Sequence, residues 1–209
     1  MATYIGERAI LTPTNKVTDE LNFRILNMLS GESMEYLSAD SVMDDNNDDI
    51  PENTALTFPV EFLNTLNFNG FPPHKLKLKV GVAIILLRNL CPSKGLCNGT
   101  RLIIKALGQR VIECEILSGQ FARTRVLIPR ISLIDNNAQK PLPFQLKRRQ
   151  FPVRMAYAMT INKAQVQTLK HVGVFLPEPV FGHGQLYVAL SRATSRKNLV
   201  VLVLSLIHI

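Results

Sequence analysis

Hydrophobic residues keep two different rhythms in this sequence, and the break between them falls at Asn69-Gly70-Phe71-Pro72-Pro73. Before it, the short apolar run Ala9–Leu11 leads through Thr12-Pro13-Thr14-Asn15 to Val17, Leu21, Ile25, Met28 and Leu29 at helical spacing, with Gly31 as a stop. Ser38–Asn53, holding Asp44-Asp45-Asn46-Asn47-Asp48-Asp49, has no period and reads as an exposed loop; Phe58–Leu66 reads as a helix. After the break, Val82–Leu87, Arg101–Ala106, Val111–Leu117 and Arg125–Ile128 are β-rich runs parted by Gly or Asn turns, the spacing of a small barrel. Beyond Pro141-Leu142-Pro143 the alternation returns: a strand to Thr160, a short helix, a strand at Val172–Leu176, a helix from Gly184 and a strand at Leu199–Leu204. Alternating elements imply an α/β sheet, so the chain reads as an α/β domain interrupted by a β insert and then resumed.

Charge divides along the same line. Nine of the sixteen acids lie between Glu32 and Glu61, whereas Lys75–Arg154 holds sixteen Lys or Arg against Glu113, Glu115 and Asp135. A polyanion partner and a merely solvated basic face both fit that imbalance. The longest apolar runs, near Val82–Leu87 and Leu199–Ile207, fall well short of the roughly 20 residues that cross a bilayer. No signal segment opens the sequence, and Cys91, Cys97 and Cys114 cannot all pair within one chain, so a reducing, intracellular setting is expected.

Two strand-to-helix turns, Thr12–Asn15 and Thr160–Lys163, set hydroxyls, amides and free backbone N–H groups at helix starts, where phosphate binds well. Taken singly each is a weak signal, because Ser, Thr and Asn more often cap helices for purely structural reasons. Lys163 adds a cation at a sheet's carboxyl edge, where α/β proteins bind ligands. On a helix over Gln185–Ala193, Gln185, Ala189 and Arg192 share one face, while Leu186, Val188, Leu190 and Ala193 are expected in the core. Arg192 is then either a surface arginine or a guanidinium aimed at a phosphate. The acidic run lacks the glycine and terminal Glu of a calcium loop, and neither the cysteines nor His74, His171, His183 and His208 have metal-ligand spacing. None of the eleven glycines precedes a lysine, so there is no GxxxxGK[ST] phosphate loop and any ATP chemistry must be shared with another segment.

Three runs, Ala9-Ile-Leu-Thr-Pro-Thr-Asn15, Ala156-Tyr-Ala-Met-Thr-Ile-Asn-Lys-Ala-Gln165 and Gly184-Gln-Leu-Tyr-Val-Ala-Leu-Ser-Arg-Ala-Thr194, resemble motifs four, five and six of superfamily-one helicases. The chain is most similar to the petite-integration-frequency type DNA helicases, especially those encoded by Helitron transposons, from about Arg8 to Leu204. The resemblance implies a RecA-like second motor domain (1–75 and 148–204) carrying an inserted small β-barrel domain (76–147), with 205–209 a foreign tail. It implies a 5′-to-3′ DNA helicase that uses ATP and Mg2+, bound mainly by an amino-terminal motor domain that this chain lacks. On its terms Arg192 is the arginine finger, Gln185 lies near the nucleotide, and Thr14, Asn15, Thr160, Asn162 and Lys163 line a single-stranded DNA track. Roles in DNA repair, recombination and telomere maintenance, and a nuclear location, come with it. Ala164 and Val166 depart from the family's usual Ser and Gly: Ala164 loses a hydroxyl that could hold a DNA phosphate, and Val166 could strain the turn, as in a decayed transposon copy.

Overall fold

A computed structural model of the chain describes residues 2–43, 58–135, 144–165, 169–180 and 182–204. Its helices are α1 (Ala2–Gly6), α2 (Asn15–Met28), α3 (Val60–Thr65) and α4 (Gln185–Leu190). The strands are β1 (Arg8–Thr12), β2 (Ser33–Leu37), β3 (Ala39–Met43), β4 (Lys75–Lys79), β5 (Ala83–Leu86), β6 (Arg101–Leu107) and β7 (Val111–Ile116). They continue with β8 (Arg125–Pro129), β9 (Ile131–Ile134), β10 (Gln145–Gln150), β11 (Val153–Met155), β12 (Ala158–Thr160), β13 (His171–Leu176) and β14 (Leu199–Val203).

The alternating segments form a parallel sheet of order β12-β1-β13-β14. Thr14 starts α2: its extended backbone leaves its hydroxyl to accept from the Val17 N–H at 3.4 Å, and the helix ends when Leu29 turns extended, just before Gly31 at φ +99°. Asn22 fastens α2 to the sheet, donating to Ala158 O at 2.9 Å and accepting from Ala158 N at 2.9 Å.

The β-rich runs form an antiparallel sheet of order β11-β5-β6-β7-β8, beside the smaller sheets β3-β10-β9 and β2-β4. Among the described residues the five strands end in two edges, β11 and β8, with no pairing between them that would close a barrel. The strands also cross the limits expected of an insert at 76–147: β2 pairs with β4, β3 with β10, and β11 with β5. Alternation of buried and exposed positions in β7 and β8 puts Ile112, Cys114, Ile116, Val126 and Ile128 into one core with Ile84, Leu86, Leu102 and Ile104.

Two expectations are corrected here. The stretch expected to be a loop from Ser38 begins instead as β3, from Ala39↔Arg149 to Met43↔Gln145 against β10. The reason is Asp40, which is not solvated: it meets the Arg148 guanidinium at 2.6 Å with both side chains fully buried, and Arg148 also donates to Pro72 O and Leu63 O. The acidic run 44–49 lies outside the described residues. Second, Ile161–Gln165 make a turn rather than the expected helix, with Thr160 O accepting from Lys163 N at 3.0 Å and Ala164 N at 3.2 Å.

Arg101 joins the two large sheets. Buried at the start of β6, it donates to the carbonyls of Ile5, Gly6, Arg8 and Ala156 at 2.9–3.1 Å. Burial draws its pKa down to about 10, which leaves the guanidinium charged at neutral pH.

Candidate functional site

Strands β1 and β12 are neighbours with Thr12 opposite Thr160, so the two turns predicted to hold phosphate leave the carboxyl edge side by side. Inside the first turn the hydroxyls serve the fold: Thr12 Oγ1 lies 2.5 Å from Thr18 Oγ1, and Thr18 Oγ1 donates to Thr14 O at 2.9 Å. Thr14 caps the helix, Asn15 is exposed on its first turn, and Thr160 is buried at the end of β12. In the second turn Asn162 is exposed and Lys163 is half-buried. Burial and the Arg154 guanidinium hold the Lys163 ammonium below the usual lysine range, with Asp19 pulling it partly back.

Asp19 and Arg154 were not anticipated from sequence. Arg154 Nη1 stands 3.9 Å from Asp19 Oδ2, and Arg154 Nε donates to Phe71 O at 3.0 Å. Asp19 follows Asn15 by one helical turn, which is the signal that could have placed it on the same face. A groove of about 560 Å3 runs from here, with Asn15, Asp19 and Phe23 of α2 on one wall and Lys75, Lys77 and Arg154 among the groups opposite. Phe23 is 54% exposed. Amides, an open aromatic ring and cations in one groove are what single-stranded nucleic acid needs for stacking and phosphate contact.

Gly184, at φ +77° where a side chain would strain the backbone, opens α4 and turns Gln185 inward. Gln185 is 6% exposed; its Nε2 donates to Pro13 O at 3.4 Å, while its Oε1 is buried without a partner among the described residues. Helix α4 ends at Leu190, three residues short of the expected Ala193. Leu186 and Leu190, expected in the core, are 39% and 38% exposed, whereas Ala189 is fully buried on the Gln185 face. Arg192 follows the helix with its donors committed to neighbouring groups at the surface: Nε to Val188 O at 3.2 Å, Nη2 to Ser191 Oγ at 3.0 Å, and Nη1 to Gln165 O. Leu169 N donates to Arg192 O at 3.1 Å. The three runs singled out in sequence are thus physically joined, the first to the third through Gln185 and Pro13, the second to the third through Arg192 and Gln165.

Ala164 is fully buried in the core under the parallel sheet, so a hydroxyl at that position would face apolar side chains rather than a bound strand. Val166 and the tail 205–209 lie outside the described residues. In β8 the basic residue Arg125 is paired with Glu113 at 2.9 Å. Cys114 is a buried thiol pushed up to about 12 by burial, hence unreactive.

A family model described as DNA helicase Pif1, 2B domain, matches residues 61–107, from α3 through β6. The ATP-dependent DNA helicase PIF1 of Homo sapiens is 35% identical over 146 residues, which cover 68% of this chain and 21% of that protein. The crystal structure of Pif1 helicase from Candida albicans superposes with a TM-score of 0.68 at 26% identity, covering 94% of this chain and 45% of that one. The crystal structure of Bacteroides Pif1 bound to ssDNA has a TM-score of 0.66 at 24% identity, covering 93% and 40%, a likeness of fold. The chain spans about a fifth of the length of the human relative, at 21%. By sequence and fold together, this chain belongs to the Pif1-type DNA helicases.

Proposed function

We propose that the chain is the carboxy-terminal motor part of an ATP-dependent 5′-to-3′ DNA helicase, with 1–75 and 148–204 as the second motor domain, 76–147 as its insert and 205–209 as a foreign tail. The Helitron-encoded branch belongs to this reading through the motif wording. The observation that carries it is the junction of the three motif runs: Thr12 registers with Thr160, and Gln185 donates to Pro13 O between them and the arginine-bearing segment. Asn15, Asn162 and Lys163, with Thr14 and Thr160 shaping their turns, hold the phosphates of single-stranded DNA at the carboxyl edge, and the groove beyond them accepts the bases.

The residues fit a nucleotide at one clear point. Gln185 Oε1 is a buried acceptor without a donor, suited to an amino group of a base. Bound ATP would supply the binding energy that closes the cleft, and its hydrolysis would let the cleft reopen. Arg192 meets its phosphates by exchanging its internal carbonyl partners for phosphate oxygens, so nucleotide binding loosens its hold on Gln165 and changes the grip of the second turn on DNA. On this reading Mg2+ is held mainly by the amino-terminal motor domain, as the family resemblance implies.

The test is complementation. The isolated chain hydrolyses no ATP; mixed with a separately produced amino-terminal motor domain, it gives DNA-stimulated ATPase, and Arg192→Lys lowers that rate by about 10³ or more. Turnover by the isolated chain, or a reconstituted Arg192→Lys enzyme of normal rate, overturns the reading. A second reading, a nucleic-acid-binding fragment or decayed transposon remnant without turnover, is favoured by the internal commitment of the Arg192 donors. It predicts DNA binding but no ATPase on complementation.

A further inference from the structure

A second concavity, of about 860 Å3, opens between β2, the β6–β7 hairpin turn, the end of β8 and β10. It gathers three guanidiniums, Arg110, Arg130 and Arg149, against a single acid, Glu35. Like charges in one concavity repel, and here neither Arg110 nor Arg149 has a side-chain hydrogen bond or ion pair among the described residues, both being exposed. Across β10 from Arg149 stand Ala39 and Ser132, small neighbours that leave it room.

A solvated basic face would leave such side chains loose. Arg130 is held instead. Its Nη1 donates to Leu37 O at 2.9 Å, and its guanidinium lies 5.5 Å from the centre of the Tyr36 ring and 5.0 Å from that of Phe151. Tyr36 in turn donates its hydroxyl proton to Gly108 O at 3.0 Å, tying down the hairpin that carries Arg110. Arg130 Nε is buried with no hydrogen-bond partner among the described residues. One fixed and two unpaired guanidiniums around an open cavity make a receptor for tetrahedral oxyanions, since a planar fork meets two phosphate oxygens at once. The volume exceeds what one phosphate fills. We propose that this pocket binds linked phosphate groups, of a nucleic-acid backbone or of a free polyphosphate, at a place separate from the two turns of the motif runs.

The test uses the whole 209-residue chain and the double variant Arg110→Gln/Arg149→Gln. Both side chains are exposed and unpaired, so circular dichroism and the melting temperature are expected to match the parent, and a matched melt qualifies the comparison. Sodium pyrophosphate is titrated by calorimetry, and a fluorescent oligothymidylate by anisotropy across a salt series. A backbone ligand shows as a salt slope for the oligonucleotide smaller by about 1.4 in the double variant, two contacts at about 0.7 each. A free polyphosphate shows as pyrophosphate binding weakened about tenfold or more with the oligonucleotide curve unmoved. Identical behaviour toward both probes of the parent, the double variant and Arg130→Lys, which keeps the charge and removes the fork, overturns the proposal. Lys163→Gln in the same series reports separately on the motif track, so failure of one site is distinguishable from failure of the other.

Discussion

In the antiparallel sheet Ile84, Leu86, Leu102, Ile104, Ile112 and Ile128 are fully buried, whereas in β14 of the parallel sheet Val200–Val203 are 44–68% exposed and, nearby, Tyr187 of α4 is 76% exposed. Both sheets are rich in branched apolar residues, so composition does not explain the contrast. The antiparallel strands cover their own inner face: hairpin neighbours, the β2-β4 ribbon and Leu26 of α2 all enter one core. A parallel sheet cannot close that way, since its strands need covering layers on both faces. Here β14 is an edge strand with neither charge nor proline to blunt it. Folding stability therefore concentrates on the antiparallel side, while the parallel sheet, which carries the motif turns, is the more weakly held. Sites that exchange ligands and move are commonly drawn from that weaker end.

The contrast breaks first at Arg148. Arg148→Met strands the Asp40 carboxylate in the interior with only Ser38 Oγ, at 2.6 Å, among its former side-chain partners, and is expected to cost about 3–5 kcal/mol in urea unfolding. A loss under about 1 kcal/mol would mean that the joint between β3 and β10 contributes little. Next comes Ile104→Ala, which empties a fully buried position and should cost about 2–5 kcal/mol. Its counterpart is Val201→Ala on β14, already 44% exposed, with an expected loss of about 1 kcal/mol or less. Equal losses for the two would show that β14 is covered in solution and would end the comparison.

What the sequence disclosed was local. The cap of α2 within Thr14-Asn15, the hairpin strands and the Gly184 helix start depend on residues a few positions apart, and each is legible in the sequence. What it concealed depends on pairings over long separations. Arg148, set in Lys147-Arg148-Arg149, looks like one member of a solvated basic run, yet it shares the inward face of β10 with Leu146 and Gln150. A period-two reading of that strand would have exposed it. The acids around Asp40 likewise mask a strand, because local polarity is shared by loops and by strands whose partner lies far along the chain. Arg130 stacks on rings nearly a hundred positions upstream and some twenty downstream, and Arg154 reaches Asp19 from beyond the antiparallel strands β5 to β8; no spacing rule connects them.

The smallest expected effect falls on the weakly held side, at Lys163, and its sign is diagnostic. Partial burial and Arg154 disfavour the ammonium in the folded chain, so the folded pKa lies below the 10.5 of the unfolded one. The folded state then binds its proton less tightly, the penalty is present in full at neutral pH, and stability is regained as pH rises through the folded pKa toward 10.5. Lys163→Gln should accordingly raise the melting temperature at pH 7 by about 1–2 °C, and the gap should close as pH rises into that window. The same substitution should weaken single-stranded DNA binding and reduce its salt slope by about 0.7, one phosphate contact. Opposite signs for stability and binding are what a ligand-facing lysine requires, since a charge kept against the interest of the fold needs another use. A lower melting temperature with unchanged DNA affinity would make Lys163 a structural residue and take the second turn out of the DNA track.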